Sequence, residues 1–204
     1  MHFLKRTLSF TRFQVIGDAA FAQDKYQEAL NKFRFQELAN YEDEDESVGW
    51  VSPENCLQPP QLGTMLVDPY FRFTMRVDKR KVPKTLFDAY VAIEEKAELE
   101  ASGKKKISIN KKRDIKQSVK SDLLAKTPPN TAIFKALWNL STNYCYLFST
   151  SKSAINHFCK LFTETFKLEL EPCTPFALAN NWASEHNVLD ILKNLEPYST
   201  SKDH

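Results

Sequence analysis

Residues 70–77, Y-F-R-F-T-M-R-V, alternate apolar and polar side chains almost without a break. Phe71, Phe73, Met75 and Val77 point one way and Arg72, Thr74 and Arg76 the other. This predicts a half-buried antiparallel strand whose outer arginines face solvent or a phosphate. A second alternating stretch, residues 3–13, predicts a strand with Leu4, Leu8 and Phe10 on its inner face. A helix is predicted from about Asp24, with Tyr26, Leu30 and Phe33 on one side. Gly49-Trp50-Val51 reads as extended chain, and Thr64–Val67 as a short strand turning at Asp68-Pro69. Further on, residues 131–140 and 144–148 flank Ser141-Thr142-Asn143 as a β-hairpin. Ser151 or Ser153 caps a helix in which Ile155, Phe158, Phe162 and Phe166 recur on one face. Leu168 and Leu170 alternate in one more strand, and residues 177–195 read as one or two short helices.

Between these two sets of strands lies a stretch of different character, Lys79 to Pro129. Leu86, Tyr90, Ile93 and Ala97 recur at helical spacing, with Phe87 and Val91 beside them, and Pro83 suits the first turn. Ser102-Gly103 ends this helix. In a second helix Ile115, Val119 and Leu123 form a thin apolar stripe; Asn110 suits its N-cap, and Pro128-Pro129 stop it. The expected architecture is α+β, with antiparallel sheets and amphipathic helices in two similar modules plus a projecting basic helical hairpin. Its organisation is an α+β body of residues 1–78 and 130–178, an inserted hairpin tip of residues 79–129, and short helices with a frayed tail in residues 179–204.

Charge separates the hairpin from the body. Lys79 to Lys126 carries +7, whereas the whole chain of 204 residues is +2, which leaves −5 for the rest. The cations that could reach phosphates are Lys79, Arg80, Lys81, Lys84, Lys104, Lys105, Lys106, Lys111, Lys112, Arg113, Lys116 and Lys120. Charge alone leaves two readings side by side: contact with DNA or RNA, and an ordinary solvated surface hairpin. Glu94, Glu95, Glu98 and Glu100 read as partners of the helix lysines.

Composition narrows the remaining classes. Only four glycines occur, which excludes a glycine-rich phosphate loop. Cys56, Cys145, Cys159 and Cys173 show no C-x-x-C spacing and read as free thiols in a reducing cytosol. The first residues lack a signal-peptide core, and no apolar run is long enough for a membrane span. The acidic run of residues 42–46 reads as a solvated loop in preference to a metal site, and His157 as a surface or boundary residue. No catalytic residue, metal site or cofactor is expected. The competing readings are a metal-dependent exonuclease, which would need clustered carboxylates, and a protein-interaction module that uses the hairpin.

The order and spacing of several motifs carry a resemblance. They are Gly49-Trp50-Val51 with Pro53, Lys81-Val82-Pro83 ahead of a long helix, and Gly103-Lys104-Lys105 at the hairpin tip. They continue with Asp114-Ile115-Lys116 running to Leu123-Leu124, Trp138, the helix after Ser153, and Pro172-Cys173-Thr174-Pro175. Over about residues 1–178 the chain resembles the RdgC family of bacterial recombination-associated proteins. The resemblance implies a cytoplasmic, nucleoid-associated homodimer that binds double-stranded DNA without sequence preference and antagonises RecA-driven strand exchange, with Lys104 and Lys105 facing DNA. It also implies a ring-like dimer. Relative to that pattern, Ala125-Lys126-Thr127-Pro128-Pro129 stands in place of the family's basic-aromatic segment, and no counterpart of the C-terminal third that supplies one dimer contact is expected within these residues. A dimer joined through the hairpins alone and a different closure then both stay open.

Overall fold

The computed structural model describes residues 8–17, 23–38, 45–103 and 105–194. The chain runs β1 (Thr11–Ile16), α1 (Gln23–Lys32), β2 (Glu46–Trp50), α2 (Leu62–Met65), β3 (Leu66–Val67) and β4 (Tyr70–Lys79). Two long helices follow, α3 (Lys84–Ser102) and α4 (Ile109–Lys126). Then come β5 (Asn130–Asn139), β6 (Tyr144–Leu147), α5 (Lys152–Phe166), β7 (Glu169–Pro172), α6 (Pro175–Glu185) and α7 (Leu189–Lys193). The class is α+β. The strands on either side of the long helices share one antiparallel sheet, ordered β2-β4-β5-β6-β1-β7, with β3 also beside β4. The two sets meet along β4 and β5, which pair from Tyr70↔Asn139 to Lys79↔Asn130. The chain therefore leaves the sheet at Lys79 and re-enters it at the directly opposite residue, and the helical pair grows from that point.

The core lies on the sheet face covered by α1 and α5. Register places Phe71 opposite Trp138 and Met75 opposite Phe134 on this face. The phenylalanines of α5 at four-residue spacing, Phe158, Phe162 and Phe166, are buried against them. Trp50 is also fully buried, and its indole N–H donates to the Thr165 hydroxyl at 2.8 Å, which in turn donates to Leu161 O at 2.6 Å. Such a partner is the usual arrangement for a buried indole N–H.

The other face of β4 departs from the half-buried expectation. Thr74, Arg76 and Asp78 are all buried. Segment 34–38 and the loop after β2 close over this face. Arg76 Nε and Nη2 donate to the Asp78 carboxylate at 2.9 and 2.7 Å, and Nη1 donates to Cys56 O at 3.3 Å. The guanidinium lies 4.2 Å from the centre of the Phe35 ring. Segment 33–35 can come this close because residue 49 is glycine: a Cβ there would stand 2.4 Å from Phe35 Cα and N. Arg72 donates to Thr64 O. The arginines that alternation assigns to an open face are thus internal ties.

Other boundaries shift. β1 begins at Thr11, because its ladder partners Tyr144–Leu147 and Glu169–Pro172 reach only Thr11–Ile16. Phe13 and Val15 are its core residues, while Leu8 and Phe10 are exposed; residues 3–7 lie outside the described residues. Thr64 and Met65 belong to the single turn of α2, which leaves Leu66 and Val67 as the strand.

Candidate nucleic-acid interface

α3 and α4 pack as an antiparallel pair on a small apolar seam. Val91 on α3 meets Val119 and Leu123 on α4, with Val82, Phe87 and Ile115 beside them. α3 ends at Gly103, whose φ of +60° is the left-handed cap that glycine adopts without strain. Ser108, rather than Asn110, is the N-cap of α4, and its hydroxyl accepts from the Lys111 N–H. Thr127 closes the far end: its hydroxyl donates to Leu123 O at 2.6 Å, just before Pro128-Pro129. The stripe Leu86, Tyr90, Ile93 lies on the side of α3 turned away from α4 and is exposed. α3 therefore carries two apolar faces, and only the Phe87–Val91 face is covered by its partner helix.

The structure sorts the charges of the hairpin by edge. Lys112 pairs with Glu95 at 3.5 Å and Lys111 with Glu98 at 3.3 Å, so two of the expected phosphate contacts are held across the helix seam. Lys96 and Glu100 stand 3.9 Å apart on the exposed side of α3. Such exposed pairs contribute little to stability. Asp114 and Asp122 of α4 line a groove with Glu94 and Glu98 of α3 and the Lys111 that pairs with Glu98, so acids outnumber bases along that edge. On the other edge, Arg113, Lys116 and Lys120 recur at i, i+3 and i+7 and so share one face of α4 over about 10 Å. All three are exposed and make no ion pair among the described residues; the same holds for Lys105 and Lys106 at the tip. Lys104 lies outside the described residues.

At the base of the hairpin the cations diverge in role. Lys79 pairs with Glu46 at 3.1 Å. Arg80 is only 5 % exposed and its guanidinium donates to Leu38 O at 3.0 Å, so it braces the chain and does not belong with the surface cations. Lys81, Lys84 and Lys120 surround a cavity of about 460 Å³ whose other walls include Val82, Phe87 and Leu124. Counting cations along the chain overlooked this apolar floor. The one available signal was Phe87, three residues after Lys84 and therefore on the same side of α3.

Glu46 also faces His157 at 3.3 Å. Burial raises the Cys145 thiol far above its ordinary value, with nearby Cys159 adding to the effect, and burial raises Cys159 as well. Among the described residues no three His, Cys, Asp or Glu side chains gather closely enough to hold a metal ion; acids 42–44 lie outside them. No helix among them is long and apolar enough to cross a membrane.

No curated protein sequence matches the chain. The family model described as "Putative exonuclease, RdgC" matches residues 6–185. That span takes in every strand and both hairpin helices, and the chain belongs to the recombination-associated RdgC family.

Proposed function

We propose that this protein binds duplex DNA without reading its sequence, through the basic edge of the hairpin, and that it limits RecA-type strand exchange by occupying the DNA. The observation that carries this reading is the stripe Arg113-Lys116-Lys120, exposed and free of ion pairs among the described residues, with Lys105 and Lys106 at the tip likewise exposed and free of ion pairs among them. Three cations on one helical face can follow a run of phosphates, and flexible ammonium groups do so without fixed geometry. Contacts of this kind position a protein on DNA but carry no base information. The acidic opposite edge repels the same phosphates and so orients the hairpin. A homodimer fits the reading: the uncovered stripe Leu86-Tyr90-Ile93 on α3 is the apolar surface a second hairpin would cover. On a sizing column the protein is expected to elute as a dimer and Ile93→Glu as a monomer; a monomeric wild type would remove the dimer from the proposal.

In a strand-exchange reaction with a RecA-type recombinase, added protein is expected to slow joint-molecule formation while labelled DNA stays full length in magnesium or manganese. Unchanged exchange at protein concentrations that coat the DNA would contradict the proposed role. Loss of DNA ends that is abolished by neutralising the acids of residues 42–46 would assign the protein to nucleolytic chemistry instead.

A further inference from the structure

The cavity at the base of the hairpin is not the shape of a duplex contact. A duplex presents phosphates on its outside and keeps its bases stacked within, so lysines alone would serve it. Here Lys81 and Lys84 at the start of α3 and Lys120 on α4 surround an apolar floor of Val82, Phe87 and Leu124, in about 460 Å³. Asp45 is the one carboxylate among the lining residues. α3 itself opens toward a negative group: Pro83 supplies no side-chain cap, and the first turn contains no acid. A lysine at the start of an uncapped helix is electrostatically unfavourable unless an anion is bound nearby. The floor and the rim together match one chemical class, a ring with a π-face attached to phosphates. Cations drawn from two separate elements suit a strand that passes the cavity with a phosphate on each side of the base.

We infer that this cavity holds an unpaired nucleotide of a DNA strand, its base against Phe87 and its flanking phosphates at Lys84 and Lys120. The inference rests on the DNA-binding reading above and adds to it a preference for DNA that contains unpaired bases, such as a bubble, a gap or a junction. Stacking of one base on an aromatic ring tolerates any sequence, so the preference is structural and independent of sequence.

The test is fluorescence anisotropy with the intact chain on two labelled DNAs of equal length, one fully paired and one with a central four-base mismatch bubble. The wild type is expected to bind the bubble about fivefold or more tightly, the lower end of what one base stack contributes. Phe87→Leu keeps the seam apolar but removes the ring; it is expected to reduce the preference to below twofold, with helix content by circular dichroism unchanged. Lys84→Glu lies on the exposed rim and is expected to weaken bubble binding more than duplex binding. Equal wild-type affinity for the two DNAs overturns the inference and leaves the duplex reading standing. Binding to neither DNA overturns both. A preference that survives Phe87→Leu and Lys84→Glu places the unpaired base elsewhere and overturns it too. Tight binding of free dAMP without any bubble preference identifies a mononucleotide pocket, which also overturns it.

Discussion

Alanine at Arg113, Lys116 and Lys120 together is expected to weaken duplex binding by up to about 500-fold at 0.1 M salt. The magnitude follows from counterion release: each phosphate contact adds about 0.9 to the slope of log affinity against log salt, and three contacts come to about 2.7 log units relative to 1 M. The fold is expected to survive, because all three side chains are exposed and such substitutions usually shift stability by less than about 0.5 kcal/mol each. The matched control is the acidic edge. Glu94→Gln, Glu98→Gln and Asp122→Asn remove the same number of charges from the same hairpin and should leave binding unchanged or tighter. Equal losses from both triple variants would mean that the hairpin acts through its stability or its assembly. A full-affinity basic-edge variant would move the DNA to another surface. Arg76 cannot serve as the contrast that its strand position suggests, since its guanidinium is buried on Asp78 and Phe35.

Asp78→Ala is expected to lower the free energy of unfolding by about 3–5 kcal/mol, because it leaves the Arg76 guanidinium buried without its counter-charge. The residue sits one step below the point where the hairpin leaves the sheet, opposite Thr131 across the β4–β5 ladder. Its loss should therefore loosen the hairpin base as well as the sheet. Replacing both partners by apolar side chains, as in Arg76→Met with Asp78→Leu, should recover part of the loss, since a buried pair is costly mainly when half of it is missing. The pair also sets an acid limit. Burial pushes the Asp78 carboxyl up, but hydrogen bonds from Arg76 and Thr131 and the Arg76 charge outweigh it and hold the group below its ordinary 3.8. A depressed folded value means that the contribution is complete above 3.8 and is lost as pH falls through the lower, folded value. Urea titrations of wild type and Asp78→Ala should thus converge only in strong acid. A difference that stays constant down to that range would show that the carboxylate is not what stabilises Arg76.

Elements with one buried face were legible in the chain because their periods are clean. The i, i+4 phenylalanines of α5 and the alternation of β4 lead directly to the core residues found. What periodicity could not supply was anything set by a third element. Nothing in residues 70–77 shows that segment 34–38 and the loop after β2 cover the arginine side, because that cover depends on Gly49 and on a contact between distant segments. The start of β1 was misplaced for a related reason: two plausible alternating windows overlap, and only the partners β6 and β7 decide between them. On α3 the apolar pattern is wider than one face, so spacing alone could not tell that Val91 turns inward and Ile93 outward. For the interface, the net charge of the hairpin was evident from residue counts. The division into a basic and an acidic edge depends on how α3 and α4 face each other, and the burial of Arg80 and the pairing of Lys111 and Lys112 depend on partners far along the chain or on the opposite helix.

The central claim is that a basic helical edge holds DNA by charge and without base readout. The most direct measurement is the dissociation constant for two unrelated duplexes of equal length across a salt series from 0.05 to 0.5 M, over which the Debye length shortens from about 14 to about 4 Å. The same affinity is expected for both sequences, with a linear fall of log affinity with log salt at a slope of about −2.7 or steeper that becomes shallower by up to about 2.7 in the basic-edge variant. Affinity that is flat across the series, or that differs tenfold or more between the two sequences, would contradict it.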